Sequence, residues 1–330
     1  MNPRKLLVIQ TAFLGDVVLA TALIESLHAR FPDAKIDFMV RNGNEGLLLG
    51  HPILRHVLVL NKRRKLHGIW TMVQRLRREK YDVVVNVQRF FRTGLITALS
   101  GARHTIGFSQ NPMSLIFSVR VPHSIGSLHE VERNHRLIAS LTGTETAGKP
   151  RLYPTEKQRD KAAKVSTGSF VTLSPASVWM TKQLPEAQWI SLAKAIPLHL
   201  QVLLLGGPGD IELCQSIAQQ CGRDHVKVLA GELSLLESAA VMGGAVMNYV
   251  NDSGPMHLAS ALNAPVTAVF CSTVPAFGFG PLSEQSFIVE TTEKLSCRPC
   301  GLHGKRACPQ GHFKCATTIR TDQLIATLAQ

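Results

Sequence analysis

The 330-residue sequence has no uninterrupted apolar run of bilayer-spanning length. Residues 253–283 carry no Asp, Glu, Lys or Arg, but Pro255, Pro265, Pro275 and Pro281 cut that stretch into pieces too short to span, so core is expected there. An export signal is also lacking. The apolar run Leu6–Ile9 in "MNPRKLLVIQTAFLGD" stops at Thr11, Gly15 and Asp16, and a buried first strand explains it better. The absence of a G-x-G-x-x-G fingerprint disfavours a dinucleotide-binding first domain. No tandem repeat or low-complexity segment is visible. The seven cysteines are an odd count, and without an export signal reduced thiols in the cytoplasm are the expectation.

What is present is a globular composition, 45% hydrophobic and 18% charged. The length allows two domains of ordinary size. The net charge of +13 is lopsided: residues 1–164 hold 26 Lys and Arg against 12 Asp and Glu, and residues 165–330 hold 10 against 11. A basic first half points to an acidic partner for that half: nucleic acid, an anionic membrane surface or a phosphorylated substrate. Short β-branched runs at 5–10, 35–40, 56–60, 81–87 and 104–108, then at 169–174, 201–206, 226–231, 245–250 and 264–270, alternate with segments of helical apolar spacing. Continuous apolar strands separated by helices mean parallel sheets covered on both faces. The polar stretch 142–169 separates the two series. The expectation is an α/β protein of two doubly wound, Rossmann-like domains, 1–160 and 161–330, facing a cleft.

Ligands of open parallel sheets bind beyond the carboxyl ends of strands, and four segments fit that place. In "QTAFLGDVV" (10–18), Asp16 opens a helix, either as its N-cap or as a catalytic carboxylate. In "LSPASVWMTKQLPEAQW" (173–189), Ser174 and Ser177 supply hydroxyls, and Lys182 is the only Lys or Arg between 165 and 193, which favours a phosphate ligand over a solvated charge. In "LLLGGPGDIE" (203–212), Gly206, Gly207 and Gly209 let backbone approach a ligand, and Asp210 or Glu212 suits ribose hydroxyls. In "VNDSGPMHLASAL" (250–262), Asp252, Ser253 and His257 suggest a hydrolase triad. The G-x-S-x-G frame is missing, however, and His257 stacks along the helix from Ser253. With Pro255 in the first turn, the free N–H groups at Ser253 and Gly254 make an anion site instead, within reach of His257.

With these segments together the chain resembles the ADP-heptose:lipopolysaccharide heptosyltransferases, glycosyltransferase family 9, of GT-B fold. The carriers are "TAFLGDVVLATALI", the Lys182–Trp189 segment, "GGPGD" and "NDSGPMHLASAL". The resemblance implies an inverting transfer of heptose from ADP-heptose, held by the second domain, to a phosphorylated lipid A–core acceptor held by the first. It implies Asp16 as general base, Lys182 with Ser177 on the donor phosphates, Glu212 at the ribose and Leu233 at adenine, with Gly207 among the donor-binding residues. Asp252, Ser253, Gly254 and His257 match its pyrophosphate turn. No metal is expected in catalysis, since Lys182 and the helix dipole can stabilise departing ADP and no D-x-D motif is present. Lys62, Arg63, Arg64, Lys65, Arg89 and Arg92 are candidates for acceptor phosphates and the anionic inner leaflet, which implies a cytoplasmic protein peripheral to the inner membrane. Two alternatives stay open: a transferase or epimerase using another nucleotide sugar, and a basic nucleic-acid-binding protein. The latter leaves Asp16, Lys182 and the Asp252 turn without a role, and no nucleic-acid partner is expected. Finally, Cys297, Cys300, Cys308 and Cys315, spaced C-x2-C-x7-C-x6-C, could hold a structural zinc, or form an ordered loop of reduced thiols, or contain an oxidised pair.

Overall fold

A computed structural model describes residues 2–61, 65–126, 128–165 and 168–329. The chain divides into two compact units, Met1–Tyr153 and Pro154–Gln330. The division falls inside the polar stretch 142–169 where a boundary is expected, ahead of position 160. The physical reason is the helix over Glu156–Ala163, which packs on a helix at Leu235–Gly243, with Lys161 Nζ 2.9 Å from Glu237 Oε2.

The first unit runs β1 (Lys5–Ile9), α1 (Leu14–Arg30), β2 (Lys35–Arg41), β3 (Leu54–Leu60), α2 (Lys65–Glu79), β4 (Val83–Asn86), α3 (Phe91–Leu99), β5 (His104–Phe108), β6 (Val119–Val121), α4 (Glu130–His135) and α5 (Ala139–Thr142). Its strands form one parallel sheet in the order β3-β2-β1-β4-β5-β6. Leu6, Leu7, Val8 and Ile9 of β1 are fully buried, as are Val83, Val84 and Val85 of β4. That burial confirms the first strand and accounts for the unbroken apolar runs. One charge lies inside this sheet. Asp37 of β2 takes Arg55 Nε at 3.0 Å, the His56 N–H at 3.1 Å and the Tyr81 hydroxyl, so its carboxylate is bonded on every side.

The second unit runs α6 (Glu156–Ala163), β7 (Phe170–Ser174), α7 (Glu186–Ala195), β8 (Gln201–Leu204), α8 (Ile211–Cys221), β9 (Val226–Val228), α9 (Leu235–Gly243), β10 (Met247–Asn251), α10 (Gly254–Ala261), β11 (Val266–Phe270), β12 (Ser286–Glu290), α11 (Lys314–Thr317) and α12 (Thr321–Ile325). The order β12-β11-β10-β7-β8-β9 is again all parallel. Trp189 of α7 is completely buried and anchors the core with Leu173, Val202 and Tyr249. The two strands absent from the sequence reading, β6 and β12, both lie at sheet edges. Edge strands lose the two-sided burial that writes a continuous apolar run: both residues 119 and 120 of β6 are exposed.

The strand order of each sheet reverses once, between β1 and β4 in the first unit and between β7 and β10 in the second. Such reversals open crevices at the carboxyl ends of strands, where doubly wound folds bind ligands.

Candidate functional site: a half-buried carboxylate and a lysine–aspartate pair

The first reversal point is built by side-chain amides. Gln10 Oε1 accepts from the Ala12 N–H at 3.1 Å and from Gln88 Nε2. Asn86 Oδ1 accepts from the Gln88 N–H at 2.9 Å, and Asn111 Nδ2 donates to the Gln88 carbonyl at 2.9 Å. The loops after β1 and β4 are thereby tied together. The close fit explains Gly94, where a Cβ would stand 2.1 Å from Asn111 Oδ1. Asp16 occupies the first turn of α1 but is not its cap, because Phe13 holds the N-cap position.

Burial, and next the negative charge of Glu130, push the Asp16 carboxyl up to about 6; hydrogen bonds from the Phe13 N–H and its own N–H, and the charge of Arg89, pull the other way. Glu130 itself stays below the usual carboxylate range. Its own burial opposes this, but it is outweighed by His123 Nε2 at 3.5 Å and Arg133 Nε at 2.7 Å. His123 Nδ1 in turn lies 3.5 Å from Arg89 Nη1. An ionised glutamate next to a desolvated aspartate is a means of raising a base toward neutral pH. Arg41 belongs here too, with its guanidinium 4.9 Å over the Phe13 ring.

At the second reversal point Lys182 Nζ lies 2.7 Å from Asp252 Oδ2, and that oxygen also accepts from Thr273 Oγ1 at 2.6 Å. The Lys182 side chain is 14% exposed, so its ammonium is largely withdrawn from water. Asn251, fully buried, fixes the approach: its Oδ1 takes the Leu184 N–H at 2.9 Å and its Nδ2 donates to Pro175 O at 2.8 Å. The asparagine before the Asp252 turn thus locks both ends of the segment that carries Ser177 and Lys182. Helix α10 starts directly after Ser253, with no side-chain cap on its N-terminus and Pro255 in its first turn. Its leading N–H groups and the positive end of its dipole are left for an anion. His257 is buried one turn further on.

Ser177 is half-buried in the loop after β7, its carbonyl accepting from Gln183 Nε2 at 2.6 Å. The loops after β8 and β9 adjoin: the Gly231 N–H bonds Gly206 O at 3.0 Å, and a Cβ on Gly231 would stand 2.9 Å from Ile211 Cδ1. Gly207 donates its N–H to Asp210 Oδ2 at 2.8 Å, which occupies Asp210 within its own turn and leaves Glu212, exposed in the first turn of α8, as the available carboxylate. Leu233 is half-buried just before α9. All the proposed donor residues therefore gather at the carboxyl edge of one sheet.

A model of glycosyltransferase family 9 (heptosyltransferase) matches residues 69–308. The chain belongs to this family. Lipopolysaccharide heptosyltransferase 1 of Pseudomonas aeruginosa is 26% identical over 315 residues, covering 90% of this chain and 86% of that protein. A family 9 glycosyltransferase from Veillonella parvula superposes with a TM-score of 0.85 at 21% identity, covering 99% and 97% of the two chains. The ADP-heptose lipopolysaccharide heptosyltransferase II of Escherichia coli superposes at 0.78 with 23% identity and 99% of both chains covered. The two parallel six-stranded sheets are the architecture of these GT-B transferases.

The remaining expectations for this glycosyltransferase are met unevenly. Arg89 is exposed and Arg92 half-buried beside the Asp16 half-site, at the end of β4 and the start of α3. Lys62, Arg63 and Arg64 lie outside the described residues, as does the side chain of Lys65, whose backbone opens α2. Cys297, Cys300, Cys308 and Cys315 are free thiols, with none joined in a disulfide. Among the described residues no group of three His, Cys, Asp or Glu side chains is arranged to hold a metal ion. The Cys300 thiol donates to the Cys297 carbonyl at 3.3 Å, and the Cys297 sulfur lies 3.8 Å from His312 Nε2. The residues absent from the sequence reading are Arg41, His123, Glu130 and Asn251. Arg41 ends β2 at the carboxyl edge, so the strand-end rule points to it. His123 and Glu130 follow the short edge strand β6, and no local pattern marks them.

Proposed function

We propose that this family 9 enzyme transfers heptose from ADP-heptose to the phosphorylated inner core of lipopolysaccharide, with inversion at the anomeric carbon. The observation that carries this reading is the Lys182–Asp252 pair beside the uncapped N-terminus of α10, an arrangement suited to a diphosphate. Glu212 and the backbone at Gly207 face the ribose, and Leu233 the adenine. Asp16 removes the proton from the attacking acceptor hydroxyl, and that oxygen forms the new bond to the anomeric carbon as the bond to ADP breaks. The leaving diphosphate takes the electron pair and is stabilised by Lys182 and the N–H groups of Ser253 and Gly254. A single displacement gives inversion. No step is assigned to a metal, because the lysine and the helix dipole supply the charge.

Arg89 and Arg92, with Arg41, suit acceptor phosphates. Among the described residues no helix is long and apolar enough to cross a membrane. A peripheral contact with the anionic inner leaflet is supported by α2, which buries Ile69, Met72, Val73 and Leu76 yet leaves Leu66 78% and Trp70 53% exposed, with Arg75, Arg77 and Arg78 exposed further along. Leu66→Ser with Trp70→Ser is expected to weaken sedimentation with phosphatidylglycerol vesicles; unchanged sedimentation would remove this contact. The transfer itself is tested by mass spectrometry of a truncated core acceptor incubated with ADP-heptose or with UDP- and GDP-sugars. A gain of one heptose from the ADP donor alone is expected, and transfer only from another nucleotide would overturn the reading.

A further inference from the structure

The cysteine-bearing segment after β12 has no part in the reaction as described. Its main chain does something else. Arg298 spreads its guanidinium over the carboxyl end of β11, donating to the carbonyls of Cys271 at 2.7 Å, Phe270 at 3.1 Å and Thr273 at 2.8 Å, and to Glu290 Oε2 at 2.7 Å. The Cys300 N–H then bonds Ser272 O at 2.9 Å. Five residues on, the strand of chain crosses the lysine. Thr181 donates its N–H to Lys305 O at 3.1 Å, and Thr181 Oγ1 accepts from the Lys305 N–H at 2.7 Å and from Ser272 Oγ at 3.0 Å. Thr181 is 1% exposed, so these bonds are shielded from water. Gly304 turns over the lysine stem with φ +73°, and a Cβ there would stand 2.9 Å from Lys182 Cγ and 3.1 Å from Thr181 Oγ1.

We propose that residues 298–305 form a strap that positions Lys182 for the donor diphosphate, with Thr181 and Gly304 as its two positioning residues. One end is riveted by Arg298 to the carbonyls around Thr273, the residue whose hydroxyl bonds Asp252. The other end grips Thr181, the residue before the lysine. The strap therefore holds both members of the Lys182–Asp252 pair through the same few backbone bonds. Only glycine suits position 304, both for its left-handed backbone and for the space the lysine stem fills. This rests on the donor reading above only in the choice of nucleotide; the positioning itself concerns any diphosphate.

The test is a double-mutant cycle read by calorimetric binding of ADP and, separately, of inorganic pyrophosphate. Gly304→Ala and Thr181→Val are each expected to weaken binding of both probes about tenfold, and Thr181→Ser to restore it. In a Lys182→Ala background the same changes are expected to cost less than twofold, because the group they position is gone. A general loss of stability would reduce binding equally in both backgrounds. Undiminished losses in the Lys182→Ala background, or unchanged affinity in Gly304→Ala, would overturn the strap. Pyrophosphate binding that follows this pattern while ADP is not preferred would sustain the strap and defeat the nucleotide reading.

Discussion

The two units share an architecture and use it in opposite ways. Each is a parallel six-stranded sheet with one reversal of strand order, and each collects polar side chains at that reversal. In the first unit burial acts on a carboxylate: Asp16 is pushed up to about 6 by desolvation and by an ionised Glu130. In the second, a cation is neutralised in place. Lys182 lies 2.7 Å from Asp252, and the largely buried pair is supported by Thr273. On the proposed reading, the same kind of strand-order reversal serves a proton acceptor in one unit and an anion receptor in the other. Fold decides where chemistry can be placed, and the few side chains at the reversal decide which chemistry it is.

This division of labour can be broken one unit at a time. The largest effect is expected from Asp16→Ala: turnover falls by about 10²–10⁴, the usual worth of a general base, while calorimetric affinity for ADP stays within about twofold. Loss of ADP binding in this variant would mean that the two units do not act separately. Lys182→Ala is the converse. Removing a charge-assisted bond worth about 1.5–3 kcal/mol is expected to weaken ADP binding on the order of 10- to 100-fold, with the pH dependence of the residual turnover unchanged. The smallest effect concerns stability. A carboxyl with its folded pKa raised holds its proton more tightly in the folded state, so stability falls as pH climbs from about 4 to about 6 and stays lower above that. Asp16→Asn removes this cost and is expected to raise the melting temperature at pH 8 by a few degrees, about 1 kcal/mol in a domain of this size. No rise would show that Asp16 ionises without strain.

Much of this was readable from residue order. The interior strands are continuous apolar runs because both their faces are covered, and the loops after β1, β7, β8 and β10 announce themselves through Gly, Pro, Asp and Ser at strand ends. The apparent triad in "NDSGPMH" resolves in the same terms: Asp252 Oδ2 is taken up by Lys182 and Thr273. What escaped the sequence is of two kinds. The edge strands β6 and β12 are short and only partly buried, so their pattern is weak. Partnerships distant in the chain leave no local mark either. Glu130 acts on Asp16 from 114 positions away, Thr181 is bonded to Lys305 across 124, and neither spacing carries a period.

The claim that burial and Glu130 turn Asp16 into a base working near neutral pH is tested most directly by the pH dependence of kcat/KM for the acceptor. A base acts only when deprotonated, so the rate is expected to rise about tenfold per pH unit below about 6 and to level above it. A profile already level at pH 5, as an ordinary carboxylate would give, would contradict it.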